Sequence, residues 1–384
     1  MSERVMKWSA APKRMVVRGP NWLGDAIMST PALQRLREFL PEAHITLLTH
    51  EKLRDLYLHH PAVNDTLCFG DNDGVGKIAR RVRQTRFEAG LIFPNSPRAA
   101  LELWFAGVPR RIGYARPWRN FFLTHRVAHG EEVPMRKKTE REIRALVAAR
   151  VLPREVSYPG NAHHVHQYLR LTAAVGCNAA PAPPRLWIAQ GETDSVRQRF
   201  GLETSEARRW LALNPGAEYG PAKRWPAERF VSVAAQVQKE TDCGWIILGG
   251  RRDEELTREI DRGIRAQAAD PDCCAVMNLS GRTTLRELCV VLSWCRLLLS
   301  NDTGPMHVAA AVGTPVVAIF GSTASQLTGP FSQGRVRHSV FQAQVACSPC
   351  FRRECPIDFR CMKSIEPDGV ARAVLETLQW RNTL

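Results

Sequence analysis

No stretch of this 384-residue chain is both long and apolar enough to cross a bilayer; the best candidate, Val308 to Phe320, is short and broken by Gly313 and Pro315. The opening segment, MSERVMKWSAAPKR, carries charges but no apolar run before a cleavage site, so no secretory signal is read and a cytosolic protein is expected. Low-complexity tracts and short-period repeats are also missing. Acidic residues are scarce in one region: between Lys77 and Arg154 only 6 Asp/Glu face 18 Lys/Arg, so the first half carries most of the net charge of +15. A surface of that kind attracts phosphate-rich partners, whether nucleic acid, anionic membrane or acidic substrate; a solvated basic face is the plain alternative. Eleven cysteines without an export signal argue for reduced thiols over a disulfide scaffold. Seven of them (Cys68, Cys177, Cys243, Cys273, Cys274, Cys289, Cys295) are scattered or sit in apolar stretches and read as small core residues.

What is present is a twice-repeated alternation of β-rich and helical patterns, on a chain long enough for two domains. In the first half, 14–18, 44–49, 65–69 and 89–93 read as strands, each leading into a helical segment, the first of them 25–40. In the second half, WLALN (210–214), GWIIL (244–248), RLLLS (296–300) and PVVAIF (315–320) read as buried strands ending in Gly, Asn or Asp. A helix is expected at 367–378. This predicts an α/β protein with two doubly wound parallel sheets, joined by an extended APAPPR linker at 180–185. Domains are expected at 1–180 and 181–346, followed by a cysteine-rich segment and C-terminal helix over 347–384.

Open α/β sheets bind ligands at the carboxyl ends of their strands, and four candidate turns lie there. RGPNWLGD (18–25) places Asp25 where a phosphate-binding loop has lysine, so a P-loop is rejected. Nor is the pattern GxGxxG. A carboxylate at a helix N-terminus remains, with a plain N-cap as the structural alternative. NDTGPMH (301–307) opens a helix, and its N–H groups at Thr303, Gly304 and Met306 suit a diphosphate, with His307 a further donor. NPGAEYGPAKRWP (214–226) offers Asn214, Gly216 and two cations, Lys223 and Arg224, for a departing diphosphate; an ordinary basic loop is the alternative. GGRRDE (249–254) offers a carboxylate for ribose hydroxyls.

Taken together and in order, RGPNWLGDAIMSTPAL, NPGAEYGPAKRWP, LGGRRDEE and SNDTGPMHVAAAVGTPVVAIFG resemble the ADP-heptose:lipopolysaccharide heptosyltransferases of glycosyltransferase family 9, most of all their heptosyltransferase II branch. The resemblance implies a GT-B architecture, two Rossmann-like domains facing a central cleft, with acceptor on the first and ADP-heptose on the second. It implies inverting transfer to a Kdo-lipid A-type acceptor at the cytosolic face of the inner membrane, with the enzyme bound peripherally. On it Asp25 matches the general base, Lys223 the donor-phosphate lysine, and Asp302 to Gly304 with His307 the donor motif. Asp302 is expected on sugar hydroxyls; Glu254 is the ribose ligand, with Asp253 an alternative alignment.

Asn21, Trp22, Arg110, Arg111, Arg119 and Arg136 are candidates for acceptor contact, and Lys137 and Lys138 join the arginines as candidates for membrane contact. With a lysine and a helix N-terminus to meet the charge of the leaving ADP, no divalent ion or other cofactor is expected for catalysis. Asp71-Asn72-Asp73 spells DxD, a metal ligand in another glycosyltransferase fold, but its polar GDNDG setting reads as a turn. Cys347, Cys350, Cys355 and Cys361 are spaced compactly enough to meet one structural Zn²⁺ or an iron–sulfur cluster; plain reduced thiols or opportunistic disulfides are the equal alternative. His163, His164 and His166 read as a polar helix face. A different nucleotide sugar is the alternative within GT-B enzymes. A nucleic-acid-binding protein is the alternative from another class, but no recognisable nucleic-acid module supports it.

Overall fold

The computed structural model describes residues 6, 8, 10–129, 135–153, 156–202, 209–268, 275–332 and 336–382, with side chains to 379; Cys273 and Cys274 lie outside the described residues. Two compact units emerge, one made of Met1–Glu132 with Gly160–Trp187, the other of Val133–Pro159 with Ile188–Leu384.

The first unit holds β1 (Arg14–Arg18), β2 (His44–His50), β3 (Asp65–Phe69), β4 (Ala89–Ile92), β5 (Arg110–Tyr114) and β6 (His125–Val127) in one parallel sheet, ordered β3-β2-β1-β4-β5-β6. The second holds β7 (Trp210–Asn214), β8 (Gly244–Ile247), β9 (Val276–Asn278), β10 (Leu298–Asn301), β11 (Val316–Phe320) and β12 (Ser339–Gln342), ordered β12-β11-β10-β7-β8-β9. Read from its other edge, the second order is the first repeated. In each sheet the chain builds outward on one side and then crosses back, so the switch points lie between β1 and β4 and between β7 and β10. Loops leaving adjacent strands there turn opposite ways and open a crevice for ligand.

Burial explains which strands the sequence announced. Met15, Val16 and Val17 of β1 are fully buried, as are Leu298 and Leu299 of β10, and both are covered on two faces, which demands unbroken apolar runs. By contrast, β5, β6, β9 and β12 were not legible. β5 begins with two arginines, β6 and β9 have three residues each, and β12 is a half-exposed edge.

The helix expected over 25–40 is two helices, Leu23–Met28 and Thr30–Phe39, joined at Ser29. Pro31 is the cause: it has no N–H to donate to the carbonyl of Ile27, and the Thr30 hydroxyl takes that carbonyl instead at 2.9 Å. In the second unit a core including Trp225, Phe230 and Trp245 is closed by Val370, Ala371, Val374 and Leu378 of the C-terminal helix Pro367–Asn382. Among the described residues no helix is long and apolar enough to cross a membrane.

The proline-rich stretch near 181–185 leads to Trp187, whose ring packs edge-on to His60 in the first unit at 4.7 Å. Residues 135–153 pack in the second unit, where Lys138 Nζ donates to the Cys347 carbonyl (3.1 Å) and Arg144 to that of Pro356 (2.8 Å).

Candidate active site

The loop after β1 is held from below by a buried cation. Arg18, 2 % exposed, pairs through Nε with the equally buried Glu102 at 2.7 Å, and through Nη1 donates to the Gly19 carbonyl and to Asn21 Oδ1 (2.9 Å). Its guanidinium also lies 4.4 Å from the Phe69 ring centre. Asn21, a candidate acceptor contact, is therefore tied to the loop's own support, whereas Trp22 stays half exposed with Lys52 Nζ 5.8 Å from its ring.

Trp22, not Asp25, occupies the N-cap of the helix Leu23–Met28. Asp25 is the third helical residue, and the plain capping role is set aside. Its carboxylate accepts a hydrogen bond from the Tyr168 hydroxyl (3.3 Å), lies 3.8 Å from His164 Nδ1, and remains 30 % exposed. Burial, and then the adjacent Asp25 charge, push the Tyr168 phenol far above its ordinary value, so it stays protonated and donates. A carboxylate with an oriented donor and an open side can accept a proton. Tyr168 was missed in the sequence and His164 was read only as part of a polar helix face, because both arrive from a helix (His164–Ala173) about 140 residues later. Only their i,i+4 spacing on one face marked them. Of the other two histidines, His163 caps that helix through Nδ1 and His166 is half-buried.

The basic candidates scatter. Arg119 is fully buried, donating to Asn95 Oδ1 (3.1 Å) and the Ile92 carbonyl, and burial lowers it to about 10, so it is not a surface cation. Arg111 binds the carbonyls of Phe122 and Val108; Arg110 lies over the Trp8 ring. Arg136 falls in the second unit and pairs with Glu142 at 2.7 Å. Lys137 is exposed and Lys138 is half-buried on the Cys347 carbonyl. In the DxD turn, Asp73 is spent on Lys77 (2.5 Å), the Gly70 N–H and Arg81 (2.9 Å), contacts that hold its carboxyl down to about 2.

In the second unit the β7–β10 switch point gathers motifs from three parts of the chain. Register sets Asn214 beside Ser300, so the loops after both strands leave together. Asn301 locks them: its Nδ2 donates to the Pro215 carbonyl (2.7 Å), and its Oδ1 accepts from the Trp225 N–H (3.1 Å). Above it, Lys223 Nζ meets Asp302 Oδ2 at 2.5 Å, and that oxygen also accepts from Thr323 Oγ1 at 2.5 Å. Thr303 is the N-cap of the helix Gly304–Ala311, with no side-chain cap. The N–H of Met306 is spent on the Thr303 carbonyl (3.1 Å), which removes it from the expected donor set. The N–H groups of Thr303 and Gly304 have no partner among the described residues. His307 and the Met306 side chain are buried.

Arg224 takes a different partner from Lys223. It pairs with Asp253 Oδ1 at 3.0 Å, while Asp253 Oδ2 accepts from the Gly250 N–H at 3.1 Å. Gly216 allows this approach, since a Cβ there would sit 2.5 Å from the Asp253 carboxylate. Asn214 is buried, its Nδ2 reaching toward the Gly216 carbonyl at 3.5 Å. With Asp253 spent on the loop, Glu254 is the freer carboxylate, held among the described residues by Arg258 at 3.3 Å. It stands beside Gly281, where a Cβ would lie 2.6 Å from its Oε1. Gly249, Gly250, Gly281, Thr283 and Thr284 line a cavity of about 570 Å³ at the ends of β8 and β9.

Cys347, Cys350 and Cys361 are buried and Cys355 half-buried, all as free thiols. Burial and the neighbouring sulfurs push Cys361 up to about 12. The four are gathered in one neighbourhood, yet no three His, Cys, Asp or Glu side chains among the described residues are placed to hold a metal ion.

Set against known proteins, residues 131–359 match the family model for glycosyltransferase family 9 (heptosyltransferase). Lipopolysaccharide heptosyltransferase 2 of Escherichia coli K12 is 29 % identical over 334 residues, covering 83 % of this chain and 86 % of that protein. Lipooligosaccharide heptosyltransferase 2 of Campylobacter jejuni serotype O:6 is 26 % identical, covering 94 % and 98 %. The solved structure of E. coli ADP-heptose lps heptosyltransferase II superposes with a TM-score of 0.73 at 25 % identity, over 96 % of this chain and 99 % of that one. The α/β GT-B expectation holds.

Proposed function

The chain belongs to glycosyltransferase family 9, the heptosyltransferases, and from that premise we propose that it transfers L-glycero-D-manno-heptose from ADP-heptose to the inner core of lipopolysaccharide, as heptosyltransferase II does. The observation that carries this reading is the convergence of Lys223 with the unpartnered N–H groups of Thr303 and Gly304 at one switch point. An ammonium beside two backbone donors matches a diphosphate. The cavity beside Glu254 then takes the nucleoside, with Glu254 on the ribose.

Transfer proceeds by inversion. The acceptor hydroxyl oxygen attacks the anomeric carbon, its proton passes to the Asp25 carboxylate, and the bond from that carbon to the β-phosphate oxygen breaks, the electron pair leaving with ADP. A positioned carboxylate base contributes about 10²–10⁴-fold. Lys223 and the two N–H groups meet the charge that grows on ADP, so turnover requires no divalent ion. The acceptor is a lipid A-type molecule, and the enzyme works peripherally at the inner face of the cytoplasmic membrane.

Purified protein incubated with ADP-heptose and an inner-core-truncated acceptor, in excess EDTA, should yield the extended core with inverted anomeric configuration. UDP- and GDP-sugars run in parallel should give none. Transfer from one of those and not from ADP-heptose would replace the donor assignment; loss of transfer in EDTA would remove metal independence.

A further inference from the structure

Four aromatic side chains of the first unit face outward at one corner. Trp104 and Phe105 end the helix Pro97–Phe105 and are 38 % and 47 % exposed; Trp118 and Phe121, in the turn after β5, are 90 % and 76 % exposed. Around Trp104 the rings are contiguous. Trp104 packs on Phe105 at 4.9 Å between ring centres, on Phe122 at 5.6 Å and on Phe121 at 6.5 Å, and Phe121 packs on Phe122 at 5.4 Å. Trp118 is held outward on a left-handed backbone (φ 63°), a conformation that a tryptophan rarely adopts.

Cations surround the rings. Arg83 donates to the Phe105 carbonyl, Arg111 to that of Phe122 (2.7 Å) and Arg126 to that of Asn120 (3.2 Å), which fixes three guanidinium groups at the base of the aromatic corner, each with further N–H groups to offer. From Leu103 to His129 the sequence has five arginines and no Asp or Glu. Water solvates exposed indole and phenyl rings poorly, and a contiguous patch of them marks an interaction surface. Tryptophan and arginine together suit one environment well: the headgroup layer of an anionic bilayer, where rings insert among the glycerol backbones and guanidinium groups meet phosphate. Stacking of single-stranded bases fits less well. The rings meet one another edge to face, at 75°, 68° and 86°, and do not present parallel slots.

We propose that Trp104, Phe105, Trp118 and Phe121, with Arg83, Arg111 and Arg126, form a docking surface that inserts into the headgroup region of membranes rich in anionic phospholipid. This deepens the reading of the chain as a transferase acting on a lipid-anchored acceptor, and it supplies that reading with a place of attachment.

The test is flotation of the full chain with phosphatidylglycerol/phosphatidylethanolamine vesicles and with phosphatidylcholine vesicles, none containing acceptor. Wild type should float with the anionic vesicles and stay behind with phosphatidylcholine. The exposed pair exchanged in W118A/F121A should reduce partitioning at least about tenfold, with an unchanged melting curve and unchanged transfer to a water-soluble, deacylated acceptor. If that variant melts early, R83Q/R126Q serves instead and should lower the salt concentration at which the protein is released. Indole emission should shift to the blue on anionic vesicles, and W118F should remove most of that shift. Wild-type levels of flotation in W118A/F121A overturn the proposal. So does a lipid-free dimer that this variant dissolves, or binding of single-stranded nucleic acid that depends on the same two rings. Because the vesicles hold no acceptor, flotation without transfer would count against the transferase reading alone.

Discussion

Lys223 and Asp302 stand 79 residues apart in sequence, and their charged groups meet at 2.5 Å at the β7–β10 switch point. Both are largely buried, 13 % and 4 % exposed, so each is the other's principal counter-charge in the absence of ligand. A donor diphosphate arriving at the Thr303 and Gly304 N–H groups would share the ammonium with Asp302 without uncovering a buried carboxylate.

Removing one member of this pair should therefore cost both stability and catalysis. Lys223→Ala is expected to destabilise by about 3 kcal/mol, because it leaves Asp302 buried without a cation. It should also weaken donor binding and lower turnover by roughly two orders of magnitude. Combining it with Asp302→Asn should restore much of the melting temperature and none of the transfer. Calorimetry beside steady-state kinetics separates the two effects, and recovery of activity in the double variant would deny Lys223 its role on the phosphates.

Asp25→Asn keeps the acceptor oxygen that Tyr168 bonds and removes only the basicity. Turnover should fall by roughly two orders of magnitude or more, with melting temperature and ADP affinity nearly constant. Tyr168→Phe, which spares the base and deletes its donor, should lose no more than about tenfold. If Asp25→Asn turned over normally, the helix residue would be structural and another group would take the proton.

The adjacent carboxylates at 253 and 254 should divide cleanly. Asp253→Asn releases Arg224 and weakens the hold on the Gly250 N–H, so its main effect should be a lower melting temperature. Glu254→Gln should leave melting unchanged and raise KM for the nucleotide sugar several-fold, at the scale of one hydrogen bond to a charged group. Isothermal titration with ADP, which retains the ribose, would expose a reversal of these assignments.

Acid should weaken both units through two desolvated histidines, the buried His60 and the half-buried His338. His60 and His338 each accept a backbone N–H at Nδ1, from Ala62 and Val316, and burial lowers each to about 4 from the ordinary 6.5. Between pH 6.5 and 4 the unfolded chain binds protons that the folded one refuses, so stability falls across that window as pH drops. Urea midpoints measured at pH 7 and pH 4.5 should differ, and His60→Gln should shrink the difference. Equal midpoints at the two pH values would mean that these rings protonate freely in the folded state.

The central strands, the turns at their ends and the family motifs were legible because each is local. A strand buried on both faces must be continuously apolar, and a loop that grips phosphate needs glycine, a small cap and a cation within a few residues. GPAKRWP and NDTGPMH carry that requirement in their own letters. The split of the first long helix was also encoded, by Pro31.

What the sequence by itself determined, then, is the α/β class and which turns offer chemistry. The tertiary structure decided which side chains are spent on one another. It set Tyr168 and His164 against Asp25, committed Arg224 to Asp253, and took Arg119 from the surface into the core. Parallel sheets pair strands across long crossovers, so partners lie tens to hundreds of residues apart and no local pattern names them. A charge in such a sheet is free or committed according to what the crossover brings beside it.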